Sequence, residues 1–289
     1  MLRRWQRWTP PALRQRARQV DWPQDLGPVR PAGAPAASGH VKPFVHRATS
    51  ANGGGLGLYF SISEIQSRMA ADDPLALDLG YTRTMMGFLL FRAEPARVLM
   101  VGLGGGSLAK FCHRYLPGAA MVVAEINPHV IALRDEFLVP SDDARLTVVC
   151  GDGALVVRHT ASPVDVLLVD GFDSQGQPAR LCSQRFYDDC HAALQPGGVL
   201  VVNLHHGHVR YGIFLDRLRR SFGELLVVND GGLSNSIVFA LKDDGFARFR
   251  RGPVRRPRGL DAAAAAQLKS AFALVGAALR RPADADPAA

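Results

Sequence analysis

Glycines and acidic residues directly follow four apolar segments in the middle of the chain. These endings are Gly102-Leu103-Gly104-Gly105-Gly106, Glu125, Gly151-Asp152-Gly153 and Asp170-Gly171-Phe172-Asp173. A carboxylate accepts hydrogen bonds from hydroxyl and amino groups, and it can take a proton from an amine during a reaction. Glycine lacks a Cβ atom, so the backbone can turn sharply and approach a ligand closely. The combination predicts that a cofactor lies across the glycine turn.

The segments that carry these residues alternate with helical patterns. Continuous apolar runs are typical of buried parallel strands. We predict strands over 97–102, 120–125, 146–150, 164–170, 198–204, 224–229 and 235–242, and helices over 107–115, 128–138, 153–159, 184–194 and 210–221. This alternation indicates an α/β fold with a parallel sheet, closed by an antiparallel final pair of strands. Because ligands bind beyond the carboxyl ends of such strands, the four endings should meet in one crevice.

The acidic residues on the second and third strands suggest a nucleoside ligand. Glu125 follows the glycine turn by about 20 residues, where nucleotide-binding folds place an acid that binds ribose hydroxyls. The alternative is a structural acid at a strand end. Asp152 lies between two glycines, where its carboxylate could accept a hydrogen bond from the adenine amino group. It could equally cap the N-terminus of the next helix, and the two roles are compatible.

Asp170 and Asp173 are the candidates for reaction chemistry. Asp170 ends the very apolar run Val164 to Val169. Partial burial there would raise the pKa of its carboxyl and suit it to accept a proton from an amine. Asp173 could then hold a cationic substrate by charge pairing. The alternative is that both residues only cap the turn that follows the strand.

Four regions are predicted along the chain. Residues 1–40 are rich in Pro, Arg and Ala and are read as a mostly irregular basic arm. Residues 41–75 form a small β module, with strand-like pieces at 44–47 and 56–62. A helix is predicted to begin at 72–74 and to end near Pro95. Residues 76–245 form the nucleoside-binding catalytic domain. Residues 246–289 hold an Arg-rich linker and an Ala-rich helix over 260–281, expected on the outside or at an interface.

The net charge of +8 comes mainly from two segments, since residues 1–30 carry seven arginines and residues 248–258 carry six. No aromatic platform or base-reading motif accompanies them, so we expect solvated arms and no nucleic acid partner. No run of 18 apolar residues predicts a membrane span. The basic start lacks an apolar run behind it, so no secretory signal is expected and the protein is predicted to be cytoplasmic.

Neither the cysteines nor the clustered histidines have the spacing of a metal site. The cysteines lie within or beside apolar segments, which favours reduced, buried thiols. The histidine cluster has no partner acid or cysteine at ligand spacing, so loop histidines that border the pocket are favoured and no metal is expected. The residues concerned are Cys112, Cys150, Cys182 and Cys190, and His205, His206 and His208.

From about Leu58 to Leu241, the chain resembles the spermidine synthase family of polyamine aminopropyltransferases. The motifs that carry the resemblance, in order, are IQSRMAADDP, GYTRTMM, GLGGGS, AEIN, GDG, VDGFDSQGQ and FYDDCHAALQPGG. The resemblance implies a small N-terminal β domain and a Rossmann-like domain of the S-adenosylmethionine-dependent methyltransferase type. It also implies transfer of an aminopropyl group from decarboxylated S-adenosylmethionine to an amine acceptor such as putrescine, with release of methylthioadenosine.

The resemblance implies a role for each matching residue. Asp170 matches the catalytic base, while Asp173 and Tyr81 match residues that hold the amine substrate. The residues that match the nucleoside-binding part of the family are Gln66, the turn glycines Gly102, Gly104 and Gly106, the ribose-binding Glu125, and the adenine-binding pair Asp152 and Gly153.

Several positions depart from the family pattern. Gly105 replaces the family Asp that holds the aminopropyl ammonium, and Thr82 replaces the His or Gln after the tyrosine. Pro178 lies one place late, and no tyrosine occurs over 229–236. Loss of a carboxylate partner for a buried ammonium weakens binding. The adenosine half of the site is therefore better matched than the amine half.

Three functions stay open on the sequence alone. The first is aminopropyl transfer to a small-molecule amine. The second is a methyltransferase that uses S-adenosylmethionine itself, whose carboxylate would suit the uncharged Gly105, although Met100 stands where many methyltransferases carry an acid. The third is a non-catalytic nucleoside-binding homologue. The oligomeric state, including a homodimer, also stays open.

Overall fold

The computed structural model describes residues 30–31, 39–48, 54–61, 64–173, 176–229, 235–243, 245–251, 257 and 259–281. The predicted basic arm therefore lies almost entirely outside the described residues. Eleven strands are described: β1 Arg30–Pro31, β2 Phe44–Ala48, β3 Gly55–Ser61, β4 Glu64–Ala70, β5 Arg97–Val101, β6 Ala120–Glu125, β7 Leu146–Cys150, β8 Val164–Val169, β9 Leu194–His205, β10 Leu225–Asn229 and β11 Asn235–Leu241.

Eight α-helices connect and cover these strands in the described part of the chain. They are α1 Gly80–Met85, α2 Ser107–Tyr115, α3 Pro128–Ile131, α4 Gly153–Arg158, α5 Gln184–Ala193, α6 Tyr211–Phe222, α7 Ala247–Arg250 and α8 Ala262–Leu279. Two short 3-10 helices, Met86–Leu90 and Ala179–Cys182, follow α1 and precede α5.

The strands form a large central sheet and a small antiparallel sheet. The central order is β1-β7-β6-β5-β8-β9-β11-β10, and the small sheet has the order β2-β3-β4. Strands β5 to β9 pair in parallel, whereas β11 pairs antiparallel with both β9 and β10. This confirms the predicted α/β fold, with a Rossmann-like parallel sheet, an antiparallel closing pair and an N-terminal β module.

Both faces of the central sheet are buried, which explains the continuous apolar runs. Val98 and Met100 of β5 pack into the core on one face, whereas Leu99 and Val101 pack into the core on the other face. A strand that alternated apolar and polar residues would expose polar groups to one of these cores. Strand β5 lies between β6 and β8. The strand order therefore reverses at β5, and ligands bind at such a switch point in open α/β sheets.

Two predicted helices differ from the structure. The helix expected from 72–74 to Pro95 begins only at Gly80, since the Leu75 amide donates to the Asp73 carboxylate and the Leu77 amide donates to the Gln267 side chain. The helix expected over 128–138 ends at Ile131 and continues as turns. Side chains that bind backbone groups at these positions offer the chain an alternative to helical hydrogen bonds.

Strand β4 was not predicted from the sequence, although it completes the small sheet. It pairs with β3 from Ser61↔Glu64 to Gly55↔Ala70, with an irregular register around Tyr59. The predicted hairpin between β2 and β3 is present, since Ala48 faces Gly55 in an antiparallel pair. Strand β4 is important here because it carries Gln66 and Ser67 to the edge of the central domain.

Helix α8 belongs to the core. It is long and apolar enough to cross a membrane by length and composition. However, Leu268, Phe272, Val275 and Leu279 are buried, and the helix packs against α1, the first 3-10 helix and β10. The predicted surface or interface helix therefore stabilises the element that carries Tyr81.

Asp165 of β8 holds together the end of the sheet opposite the crevice. Its carboxylate is buried and accepts hydrogen bonds from the Ala96 and Arg97 amides at 2.8 and 2.7 Å. It also binds the side chains of Arg92 and Gln195. These contacts fix the start of β5 to β8.

We expect Asp165→Ala to lower the free energy of unfolding by about 3 kcal/mol, because it leaves several buried donors without an acceptor. Chemical denaturation measures this change. Asp216→Ala is the matched control, since Asp216 is exposed and its ion pair with Arg219 lies at the surface, so its loss should cost less than about 0.5 kcal/mol. Equal losses in the two variants would contradict the structural role of Asp165.

Candidate active site

A cavity of about 950 Å³ opens at the carboxyl ends of the central strands. It is bounded by the ends of β5, β6 and β8, by β4 of the small sheet and by α1. The predicted site residues that line it are Gln66, Tyr81, Gly102, Gly104, Glu125, Asp152, Gly153, Asp170 and Asp173. Gly106 lies behind the turn and is not part of the lining.

Strand register brings three of these residues side by side. Val101 of β5 pairs with Ala124 of β6 and with Val169 of β8. The next residues along the three strands are Gly102, Glu125 and Asp170. The Gly102 amide donates to Ala124 at 2.8 Å, and the Asp170 amide donates to Val101 at 2.9 Å. The parallel register therefore places the turn between the two acids.

The glycine turn requires glycine for two separate reasons. Gly102 has a φ of 92°, and a Cβ atom there would lie 2.2 Å from the carbonyl oxygen of Asp170. Gly106 has a φ of 70°, and its Cβ would lie 2.3 Å from a methyl group of Val139. Gly102 thus allows the turn to approach Asp170, whereas Gly106 serves the packing behind the turn.

Glu125 is held by backbone amides at the end of β6. Its side chain is buried, and its two oxygens accept from the Leu103 and Asn127 amides, each at 2.8 Å. Burial raises the pKa of this carboxyl, while the backbone hydrogen bonds oppose the rise. Each carboxylate oxygen can accept further hydrogen bonds, so Glu125 can also bind two vicinal hydroxyls of a ligand.

Asp152 caps α4 and also forms an ion pair. One oxygen accepts from the Ala154 amide at 2.9 Å, as the capping interpretation predicts, and the other binds the Arg180 guanidinium. A Cβ atom on Gly153 would lie 2.3 Å from a methyl group of Val101, so glycine is needed for close packing of α4 on β5. Since Arg180 is largely exposed, it can leave Asp152 when a ligand binds there.

Asp170 is bound by two neutral side chains. Tyr81 Oη donates to Asp170 Oδ2 at 3.2 Å, and Asn203 Nδ2 donates to Asp170 Oδ1 at 2.9 Å. Burial raises the pKa of the Asp170 carboxyl, and the two hydrogen bonds partly oppose this rise. No described cation neutralises the carboxylate, so the group is suited to exchange a proton with a ligand.

Asn203, Asn235 and Gln177 form a network that the sequence analysis missed. Asn203 Oδ1 accepts from Asn235 Nδ2 at 2.9 Å, and the Asn203 carbonyl accepts from Gln177 Nε2 at 3.0 Å. All three residues line the cavity. The sequence did contain a signal for this network. Asn203 directly follows the apolar run VLVV of β9, just as the other predicted site residues follow the apolar runs of their strands.

Asp173 and three histidines also belong to the cavity lining. Asp173 is exposed and forms a backbone bridge with Gly176, with 2.8 Å between Asp173 N and Gly176 O. His205 and His208 line the cavity, as predicted for histidines that border the pocket, and so does His40; His205, however, ends strand β9 and is not a loop residue. The structure thus brings the predicted nucleoside-binding and amine-binding residues into one cavity.

The sequence also matches known proteins. Residues 78–220 match the spermine/spermidine synthase domain. A polyamine aminopropyltransferase of Chromobacterium violaceum is 42% identical over 187 residues, which cover 64% of this chain and 72% of the relative. One from Neisseria meningitidis serogroup A is 36% identical over 211 residues, which cover 72% and 79%. The chain belongs to the spermine/spermidine synthase family.

Solved structures support the same fold. A probable spermidine synthase of Corynebacterium glutamicum aligns with a TM-score of 0.59 at 19% identity, covering 83% of this chain and 95% of that one. Human methyltransferase-like protein 13, in complex with SAH, aligns with a TM-score of 0.54 at 24% identity, covering 72% and 96%. The spermidine synthase family thus shares its sheet with methyltransferases, as the sequence motifs implied.

We expect Gly102→Ala to lower the free energy of unfolding by more than about 2 kcal/mol and to abolish nucleoside binding, because its Cβ would meet the Asp170 backbone. Chemical denaturation and calorimetry with methylthioadenosine measure the two effects. Gly118→Ala is the matched control. No atom lies within 4 Å of its added Cβ, so its stability should change by less than about 1 kcal/mol. Wild-type behaviour of Gly102→Ala would refute the close approach.

Proposed function

We propose that this protein is a polyamine aminopropyltransferase, which moves an aminopropyl group from decarboxylated S-adenosylmethionine to a small amine such as putrescine. The observation that carries the proposal is the position of the Asp170 carboxylate. It lies in the same cavity as the glycine turn and Glu125, and it is held by Tyr81 and Asn203 without a cationic partner among the described residues. The relatives named above support the same activity.

The donor nucleoside binds along the ends of β5, β6 and β7 in this proposal. Glu125, fixed by two backbone amides, accepts hydrogen bonds from the ribose hydroxyls. Asp152 accepts a hydrogen bond from the adenine amino group after the Arg180 guanidinium leaves its carboxylate. Gly153 allows α4 to pack closely on β5 beside this position. Gly102, Gly104 and Gln66 line the path of the sulfonium side chain. None of these roles requires a metal ion.

The acceptor amine binds between Asp170 and Asp173. An amine nitrogen attacks the carbon next to the sulfonium in line with the carbon–sulfur bond. The new carbon–nitrogen bond forms as the carbon–sulfur bond breaks, and the bond electrons leave with the sulfur of methylthioadenosine. Asp170 accepts the amine proton, while Tyr81 and Asp173 hold the nitrogen in position. Much of the rate comes from the alignment of the two reactants, because a fixed geometry replaces a bimolecular encounter.

We expect Asp170→Asn to lower kcat by about 10²-fold to 10⁴-fold, because asparagine cannot accept the amine proton. The measurement is aminopropyl transfer from decarboxylated S-adenosylmethionine to putrescine, followed by product analysis. Calorimetry with methylthioadenosine is the control, since the nucleoside contacts of Glu125 and Asp152 are unchanged.

Three results would contradict this proposal. Equal product formation by the Asn variant and the wild-type protein would exclude Asp170 as the base. Nucleoside binding without turnover in the wild-type protein would favour the non-catalytic homologue. Formation of S-adenosylhomocysteine from S-adenosylmethionine with the same acceptor would instead indicate methyl transfer.

The raised pKa of Asp170 predicts the pH dependence of the reaction. The ionised form is active, so kcat/KM should fall as the pH decreases through the Asp170 pKa. Tyr81→Phe removes a hydrogen bond that favours the ionised form. The pKa of Asp170 should then rise further, and the acidic limb of the profile should move to higher pH.

Tyr115→Phe is the matched control for Tyr81→Phe, because the Tyr115 ring packs at a tilt against Phe111 at the end of α2 and has no described contact with Asp170. Its profile should coincide with that of the wild-type protein. A profile of Tyr81→Phe that moves to lower pH would contradict the proposed hydrogen bond.

A further inference from the structure

Ser67 on β4 is a buried polar residue that faces the cavity without a partner. Its side chain is only 6% exposed, yet it contributes to the cavity lining. Among the described residues, none forms a hydrogen bond with its hydroxyl, whereas the side chains of Glu125, Asp152, Asp170 and Asn203 in the same cavity are all bonded. The hydroxyl therefore reaches the cavity with its hydrogen-bonding capacity unused by the described residues, and a ligand in the cavity can bind it.

The Ser67 hydroxyl lies directly against the glycine turn. A Cβ atom on Gly105 would be 2.7 Å from Ser67 Oγ and 2.8 Å from the Phe137 ring, and one on Gly104 would be 3.8 Å from Ser67 Oγ. The space beside Gly105 is therefore filled by Ser67 and Phe137, and it leaves no room for an acidic side chain at that position. Ser67 supplies the polar group at this end of the cavity.

The N-terminus of α2 opens on the same region. Ser107 and Leu108, in the first turn of this nine-residue helix, line the cavity. Gly106 precedes the helix and provides no side chain to cap its first amides. Uncapped amides and the helix dipole favour a negatively charged group at such a position.

The buried charge behind the turn is positive. Lys110 of α2 is 1% exposed, and its ammonium donates to the Phe137 carbonyl at 2.8 Å. Burial lowers the pKa of Lys110 to about 8, partly opposed by Asp73, so the group is mostly protonated at neutral pH. The carboxylates of Glu125, Asp152 and Asp170 are bound to other partners described above. Ser67 itself adds no charge beside the turn, the Lys110 ammonium lies behind the turn, and the Glu125 carboxylate is already bound by amides of the turn.

We propose that Ser67, Gly104 and the first turn of α2 form the subsite for the tail of the sulfonium donor. This subsite binds a tail with a carboxylate, as in S-adenosylmethionine, at least as readily as the bare ammonium tail of the decarboxylated molecule. The Ser67 hydroxyl donates to the carboxylate. The inference rests on the proposed function, because it requires the nucleoside end of the donor to lie against Glu125 and Asp152.

Calorimetry on the full chain with methylthioadenosine, S-adenosylmethionine and its decarboxylated form tests this subsite. Methylthioadenosine lacks the tail, so it reports on the nucleoside site alone. We expect S-adenosylmethionine to bind within about threefold of the decarboxylated molecule or more tightly. A preference for the decarboxylated molecule larger than about threefold overturns the inference and leaves aminopropyl transfer intact. Failure of methylthioadenosine to bind overturns both proposals.

Substitutions of Ser67 separate a ligand contact from a packing role. Ser67→Ala should weaken binding of S-adenosylmethionine by about fivefold or more and leave the Kd of methylthioadenosine unchanged. Ser67→Thr retains the hydroxyl and should restore the affinity. Ser67→Asp places a carboxylate in the subsite and should reverse the preference toward the decarboxylated molecule by about tenfold. Equal losses for all three ligands in Ser67→Ala, or an unchanged preference in Ser67→Asp, overturn the inference.

Discussion

The parallel pairing of β5 with both β6 and β8 is the constraint on which the candidate site depends. Because the three strands end in register, Gly102, Glu125 and Asp170 occupy neighbouring positions at one edge of the sheet. The backbone of Asp170 comes so close to Gly102 that any side chain there would collide with it. The apolar cores on both faces of the sheet hold this register, so the position of each acid follows from the packing of the strands.

The two acids beside the turn are buried in different ways. Glu125 is bound by backbone amides, which belong to the turn and to the start of α3 and cannot move away independently. Asp170 is bound by the side chains of Tyr81 and Asn203, which come from α1 and β9. Burial raises the pKa of both carboxyls. The first arrangement suits a fixed binding group, and the second suits a group whose proton is exchanged during a reaction.

The part of the cavity beside Ser67 differs in charge from the part beside Asp170. Asp170 and Asp173 provide carboxylates where an amine would bind, whereas Ser67, Gly104 and the start of α2 provide neutral groups beside the turn. The surroundings of Gly105 leave no space for an acidic side chain, since Ser67 and Phe137 occupy the adjacent space. Lys110 holds Phe137 there by a hydrogen bond to its carbonyl oxygen. A single acidic replacement at Gly105 would therefore disturb packing as well as charge.

The sequence by itself determined the strand–helix alternation, the glycine turn and the acids at the strand ends. These features depend on local chain preferences and on the burial of both sheet faces, which leave a direct pattern of apolar runs. Only the tertiary structure decided that α1 begins at Gly80, that Asn203 holds Asp170, that Arg180 pairs with Asp152, and that Ser67 faces the turn. These contacts join residues far apart in the chain, and no local periodicity encodes which side chains meet once the small sheet, α8 and the central sheet pack together.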